Sequence, residues 1–420
     1  MATLMVAASL QAIELDDIYF SGSLSVTASY STEYPFYVEE ADSLDLNSVE
    51  FIYNGMYQFD NGVQVGAQLY AYTLDGYSDI ILDWGGVSYQ WTPEFGVWVG
   101  KNKLYNGLHN HTQDLDVVRT FATLPLGLYS RTARPLGASI NGIAAGGLIE
   151  LGSAGSFEYR LTAGWIDDID RDSYFTENSV NDWSTFEGWD IESVNYGAWG
   201  IWNTPIDGLR MGASVVYIPE SSAESTIEFT NNLTGTSLAF AQATGAGVAQ
   251  ALALQGIPGL SPEQAWDIAL AGTANNITDA EIHTEFAFLE YSLNDFTFTA
   301  EVKNQEGDAV FFIPGLGVTS TEEAPLIRSR AWYLKGTYQF TEKLAAGIQY
   351  SENDANYQVP DDETTGFAAA ASYWLTDFLL LKAEAHFMDG TNIIGETTRG
   401  VDLSANDSWE YYVFKTTMTF

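Results

Sequence analysis

The chain has 420 residues, 46% of them hydrophobic and 14% aromatic, and its mean hydropathy is -0.06. It lacks the run of ~20 apolar residues that a membrane helix needs. Acidic residues (56) outnumber basic ones (16), for a net charge of -40; this argues against nucleic acid as a partner, and the absence of cysteine excludes disulfides and thiolate metal sites.

In chain order, Met1 to Ala12 looks like the apolar, small-residue end of a secretory signal peptide without its basic region. Cleavage is expected near Ala12, and a single domain is expected over 16–420. From Ile18 to Tyr30 the pattern alternates: Ile18, Phe20, Leu24, Val26 and Tyr30 on one face, serines and Thr27 on the other. That is period 2, the signature of a strand. The next two strands, around 51–59 and 63–73, flank Asp60, Asn61 and Gly62, residues that accept the positive φ of a tight hairpin turn.

Similar short turns are expected at 92–94, 153–155, 204–208, 294–295, 341–343 and 376–377. Longer acidic or Gly-rich connections lie between them, at about 31–43, 74–78, 102–141, 168–190, 219–280, 306–330, 355–364 and 390–408. This regular alternation predicts an all-β, antiparallel up-and-down transmembrane barrel of about sixteen strands, with both termini on the short-turn side. Aromatics near the short turns (Trp84, Tyr89, Trp91, Phe95 and Trp98; Tyr338, Phe340, Tyr373, Trp374 and Phe378) read as an interfacial girdle. Within 219–280, Ser261 as N-cap, Pro262 at the first helical position and Gln264 completing a capping box predict a short helix over 261–270.

No enzyme constellation emerges. His109 and His111 form the one close histidine pair, in a loop without ligand spacing. Asp168, Asp170 and Asp172 open like a calcium loop, but the central glycine is missing and Ser179 stands where the closing glutamate belongs. No G-x-S-x-G occurs. Neither a catalytic residue, a metal site nor a cofactor is predicted.

The parity of the strands points Arg160, Arg210, Lys303, Lys335, Lys382 and Lys415 inward, with Glu158, Glu301 and Glu384 each two residues from a cation. A lipid-facing charge costs ~2–4 kcal/mol at mid-membrane, so these side chains are expected to line a water-filled lumen.

The last twelve residues alternate and end on Phe420, with Tyr412, Phe414 and Met418 on one face and Lys415, Thr417 and Thr419 on the other. This strand resembles the terminal strand of bacterial outer-membrane barrels. A more specific resemblance runs from Gly100 through Lys101, Lys103, Gly107, Leu108, Asn110 and Thr112 to Asp114, then Arg119 and Leu124-Pro125. It is similar to the segment after the fifth strand of proteobacterial porins, roughly G-[RK]-x-K-x-x-x-G-L-Y-N-x-T-x-D. Here His109 replaces the usual tyrosine and Gln113 stands where an arginine is often found. The resemblance implies a loop folded into the lumen, with Asp114, Asp116, Arg119, Arg131 and Arg134 at its narrowest point. It also implies passive diffusion of small hydrophilic solutes across the outer membrane, and homotrimers in outer-membrane lipid. The missing arginine and the acidic composition tilt the expected pore toward cations. The alternatives are a channel specific for a sugar or organic acid, and a structural or adhesive barrel with a closed lumen.

Overall fold

The structure, a computed structural model, describes residues 18–34, 36, 38, 41–74, 77–129, 134–168, 184–191, 193–227, 274–313, 318–319, 324–354, 363–391 and 408–420. Its strands are β1 Tyr19–Ser31, β2 Leu44–Gln58, β3 Val63–Leu74, β4 Tyr77–Thr92, β5 Phe95–Lys103, β6 Ser139–Glu150, β7 Ser156–Trp165, β8 Ser184–Asp190, β9 Asn195–Asn203 and β10 Leu209–Ile218. They continue with β11 Ser222–Ile227, β12 Ala274–Leu293, β13 Phe296–Ile313, β14 Val318–Thr319, β15 Ala324–Gln339, β16 Leu344–Asp354, β17 Glu363–Thr376, β18 Leu379–Asp389 and β19 Ser408–Thr419.

All nineteen segments belong to one antiparallel sheet, and β1 pairs with both β2 and β19, which closes it. β8, β11 and β14 extend the ends of β9, β10 and β15, so the wall is a closed barrel of 16 strands. Closure leaves no unpaired edge, the condition for a sheet to cross hydrocarbon.

Each short turn joins two paired strands. Gly62 has φ 86° and Asn294 φ 52°, the left-handed conformation that a tight turn demands and that glycine and asparagine reach most cheaply. Several long connections are shorter than their composition suggested: β8 takes up 184–190 of 168–190, and β11 and β12 take up 222–227 and 274–280 of 219–280. β3 and β4 pair out to Leu74 and Tyr77, and β13 and β15 pair out to Ala309 and Ala324, so most of 306–330 is wall. The segments 1–12 and 261–270, with the expected leader and helix, lie outside the described residues. Helical structure among the described residues amounts to three-residue 3-10 turns and the four-residue α1, Arg134–Gly137.

Alternation sorts the wall chemically. On β19, Trp409, Tyr411, Val413, Lys415 and Thr417 face in and are buried, while Phe414, Met418 and Phe420 face out and are exposed. Val99, Leu161, Val302, Leu334, Ile348 and Phe387 continue the outward apolar band around the barrel. Of the aromatics near the short turns, Trp91, Phe95, Phe340, Tyr373 and Phe378 are exposed on the outer rim. Three others depart from the expected girdle. Trp84 donates from Nε1 to buried Gln68 at 2.9 Å, Trp98 lies under the Arg160 guanidinium, and Trp374 shares the inward parity of Ala368, Ala370 and Ser372. For Trp84 the cause is a β-bulge. Gln68 pairs with Trp84 and Leu69 with Leu82, so Asp83 is an extra residue and the parity of β4 switches there.

Candidate functional site: a loop fastened inside the barrel

In the connection 104–138 between β5 and β6, the described residues 104–129 and 134–138 fold into the barrel. Leu104, Leu108, Asp114, Asp116, Phe121, Leu128 and Tyr129 are all buried. Every polar group carried inward with this loop needs a partner, and the wall supplies them on all sides.

Along β9, β10 and β13 the contacts are largely backbone. The Gly107 amide donates to Ser214 Oγ at 2.7 Å, Trp199 Nε1 donates to the Gly107 carbonyl at 3.1 Å, and the Leu108 amide donates to Glu301 Oε1 at 2.7 Å. Tyr129 also donates its hydroxyl to Glu301 Oε1 at 2.6 Å and accepts from the His109 amide at 3.0 Å. Leu108 packs with Trp199, Ile201 and Phe288, and Leu128 and Tyr129 pack with Phe286, Ala331 and Tyr333.

On the side of β1, β3 and β19 the contacts are ionic. Asp114 pairs with Lys103 at 2.5 Å and accepts from Gln68 Nε2. Asp116 pairs with Lys415 at 2.6 Å and accepts from Ser25 at 3.0 Å and Thr417 at 3.2 Å. Lys415 also donates to Glu50 at 2.5 Å. Burial acts to raise the pKa of Asp116, but Lys415, Lys382 and Arg119 outweigh it and hold the carboxyl well below the usual carboxylate range. At Asp114 burial is likewise overcome, by Lys103 and Arg134, and the net shift is downward.

On β18, Lys382 Nζ donates to the carbonyls of Asp116 at 2.6 Å and Phe121 at 2.9 Å. Glu384 accepts from the Ala122 amide and from Thr123 Oγ1 at 2.7 Å, and it contacts His386 at 2.9 Å. The loop thus touches the barrel wall on opposite sides of the lumen.

The residues expected at the site fall into three groups. Lys382, Lys415, Glu301 and Glu384 face inward but are covered by the loop rather than by water; their charge binds loop backbone and Asp116. Arg160, Arg210, Lys335 and Glu158 face the lumen on the short-turn side. Arg160 stacks over Trp98 at 4.2 Å and Tyr105 at 4.8 Å, and Arg210 pairs with Glu290 at 2.7 Å. Lys303 shares the inward parity of Glu301 on β13. Of the expected constriction residues, Asp114 and Asp116 meet wall cations at contact distance. Arg119 pairs with Asp116 at 3.0 Å inside the loop, and Arg134 pairs with Asp83 at 2.8 Å while lying over the Tyr70 ring. Contact pairs like these leave little of the transverse field that separated charges would set up. Arg131 lies outside the described residues.

Sequence reading missed Glu50, Gln68, Asp83 and Lys103, which hold the loop as firmly as the named residues do. Their signal was present in part. Glu50 stands between Val49 and Phe51 in an alternating strand, and Asp83 between Leu82 and Trp84, where a charge must face in.

The fold and this outward apolar band define a transmembrane β-barrel of the outer-membrane type. The barrel is similar to the anion-selective porin from Comamonas acidovorans (TM-score 0.52, 10% identity, covering 96% of this chain and 99% of that one). It is similar to the outer membrane channel DcaP of Acinetobacter baumannii (TM-score 0.52, 10% identity, covering 96% and 97%) and to OmpF of Salmonella typhi in complex with daunomycin (TM-score 0.51, 11% identity, covering 97% and 99%). No family model matches the chain, and no curated protein matches it. At these identities the likeness is one of fold.

Proposed function

We propose that the protein is a porin-type channel of the bacterial outer membrane through which small hydrophilic solutes diffuse passively, and that the loop 104–138 sets its bore. The observation that carries this reading is the loop's position inside a closed barrel, tied at Asp116 to β1 and β19 and at Gly107 and Leu108 to β10 and β13. Such a loop is an unusual burden for a barrel whose role is adhesion, since every buried amide and charge in it had to be satisfied by the wall. No catalytic step, cofactor or energy source enters this reading.

Selectivity follows from where the charge lies. The net charge of -40 gives the protein a field that draws cations. At the loop, Lys103, Arg134, Lys382 and Lys415 offset Asp83, Asp114, Asp116 and Glu50. The cation preference is therefore set at the mouths and is weak. Lipid covers the outer band, and a homotrimer would seat on it; a concavity of about 1380 Å³ lies over Leu161, Val215, Leu289, Val302 and Leu334.

Planar bilayers test the proposal. Folded, inserted protein is expected to give discrete steps of current in potassium chloride; complete absence of steps would refute a channel and leave the closed, structural barrel.

A further inference from the structure

Among the described cations around the loop, Lys335 and Arg160 lack a carboxylate pair, and Arg160 is stacked on Trp98 and Tyr105 and donates to Asn102. Lys103, Arg119, Arg134, Arg210 and Lys415 each pair with a carboxylate, and Lys382 is taken by two loop carbonyls. Lys335 has no carboxylate at ion-pair distance among the described residues. Its polar contact is His109 Nε2 at 3.4 Å, and its ammonium lies 5.4 Å from the Tyr333 ring. Glu290, Glu301 and Glu384 lie near enough to be felt, but their hydrogen bonds go elsewhere: Glu290 to Arg210, Glu301 Oε1 to Leu108 and Tyr129 while its Oε2 is buried without a partner, and Glu384 to Ala122 and Thr123.

The register places this lysine in a row. Arg210 pairs across to Glu290, Glu290 to Thr299 and Thr299 to Lys335, all facing inward at one height on the short-turn side of the loop. Above the row sits His109, and beyond it Arg119, whose Nε is buried without a partner. Burial first, then the nearby Lys335, Arg119, His111 and Arg210, drives the imidazole of His109 well below its ordinary pKa, so His109 is neutral. Along the row the Arg210 side chain is 44% exposed, Glu290 and Lys335 are partly exposed, and Thr299 between them is buried.

We infer that Lys335 and His109, flanked by Arg119 and Arg210, form a binding subsite for small organic carboxylates on the short-turn side of the loop. This deepens the channel reading by giving it a solute class. An ammonium with unused donors beside an imidazole suits a planar acceptor with two oxygens, and a charge-assisted contact of this kind is among the stronger hydrogen bonds. Within a protein of net charge -40, whose outer field discourages anions, a local cationic stop is what would allow a carboxylate to dwell in the lumen.

The test is calorimetric titration of the folded, detergent-solubilised barrel with succinate in a chloride background, with succinamide as the uncharged control. Four proteins are compared: the natural chain, Lys335→Met, Lys335→Arg, and Lys101→Met, which alters a lysine paired with Asp167 away from the loop contacts. Succinate should bind the natural chain, weaken by about tenfold or more in Lys335→Met and recover to within about threefold in Lys335→Arg. It should be unchanged in Lys101→Met. Equal affinity for succinate and succinamide, or equal succinate affinity in the natural chain and Lys335→Met, would overturn the subsite. The same preparations in bilayers keep the two readings apart. Current without succinate binding refutes the subsite and leaves the channel, whereas binding without current refutes the channel and leaves the subsite.

Discussion

At the scale of residues, the group formed by Asp116, Lys415 and Glu50 shows how a charge is kept inside a barrel. Each carboxylate is buried or nearly so; Lys415 bridges them at 2.6 Å and 2.5 Å, with Arg119, Ser25 and Thr417 also on Asp116 and the Tyr70 hydroxyl on Glu50. Removing one member strands its partners in a poorly solvated site, which costs about 3–5 kcal/mol, more than the pair itself contributes. Lys415→Met is therefore expected to lower the denaturant midpoint by far more than the double variant Lys415→Met/Asp116→Asn, which removes the stranded charge at the loop. The pH dependence has a definite sign. The carboxyl of Asp116 is held below its unfolded value, so its contribution is present above about pH 4 and is lost only as pH falls further. The stability difference between the natural chain and Asp116→Asn should stay flat from pH 7 to about 5 and shrink below about 4.

At the scale of elements, the loop 104–138 is held by geometry as well as charge. Gly107 has φ 65° and sits against Tyr129, Glu301 and Phe286, so an added Cβ is both strained and crowded. Gly107→Ala should push the loop from the β10–β13 wall and raise the noise and mean level of single-channel current without unfolding the sheet, as read by β-rich circular dichroism. Much of the barrel was legible in the chain: strict alternation in β1, β18 and β19, and turn residues such as Asn61-Gly62 and Asn294-Asp295, follow from local chemistry. The bulge at Asp83 was not, because register is set by the pairing of β4 with β3, and one extra residue inverts every inference from parity beyond it. Nor was the role of Lys382, whose partners are two carbonyls of a distant segment and carry no side-chain signature. Asp114 and Asp116 were visible through a resemblance, yet their wall partners Gln68, Ser25 and Thr417 follow only from closure of the sheet.

At the scale of the whole molecule, an acidic chain encloses a loop whose acidic and basic side chains meet those of the wall in contact pairs. The field of the mouths and the chemistry of the constriction therefore act on different solutes. In a salt gradient the reversal potential should show a modest preference for K⁺ over Cl⁻ that fades as ionic strength rises and the mouth charges are screened. Strong anion selectivity at low salt would show that the inward cations dominate. The central claim is that the loop 104–138 occupies the lumen and sets the bore. Its most direct test is single-channel conductance of the natural chain beside a variant in which residues 112–127 are replaced by a short Gly-Ser linker. Conductance several-fold higher in the variant is the predicted result, and steps of the same size in both proteins would contradict it.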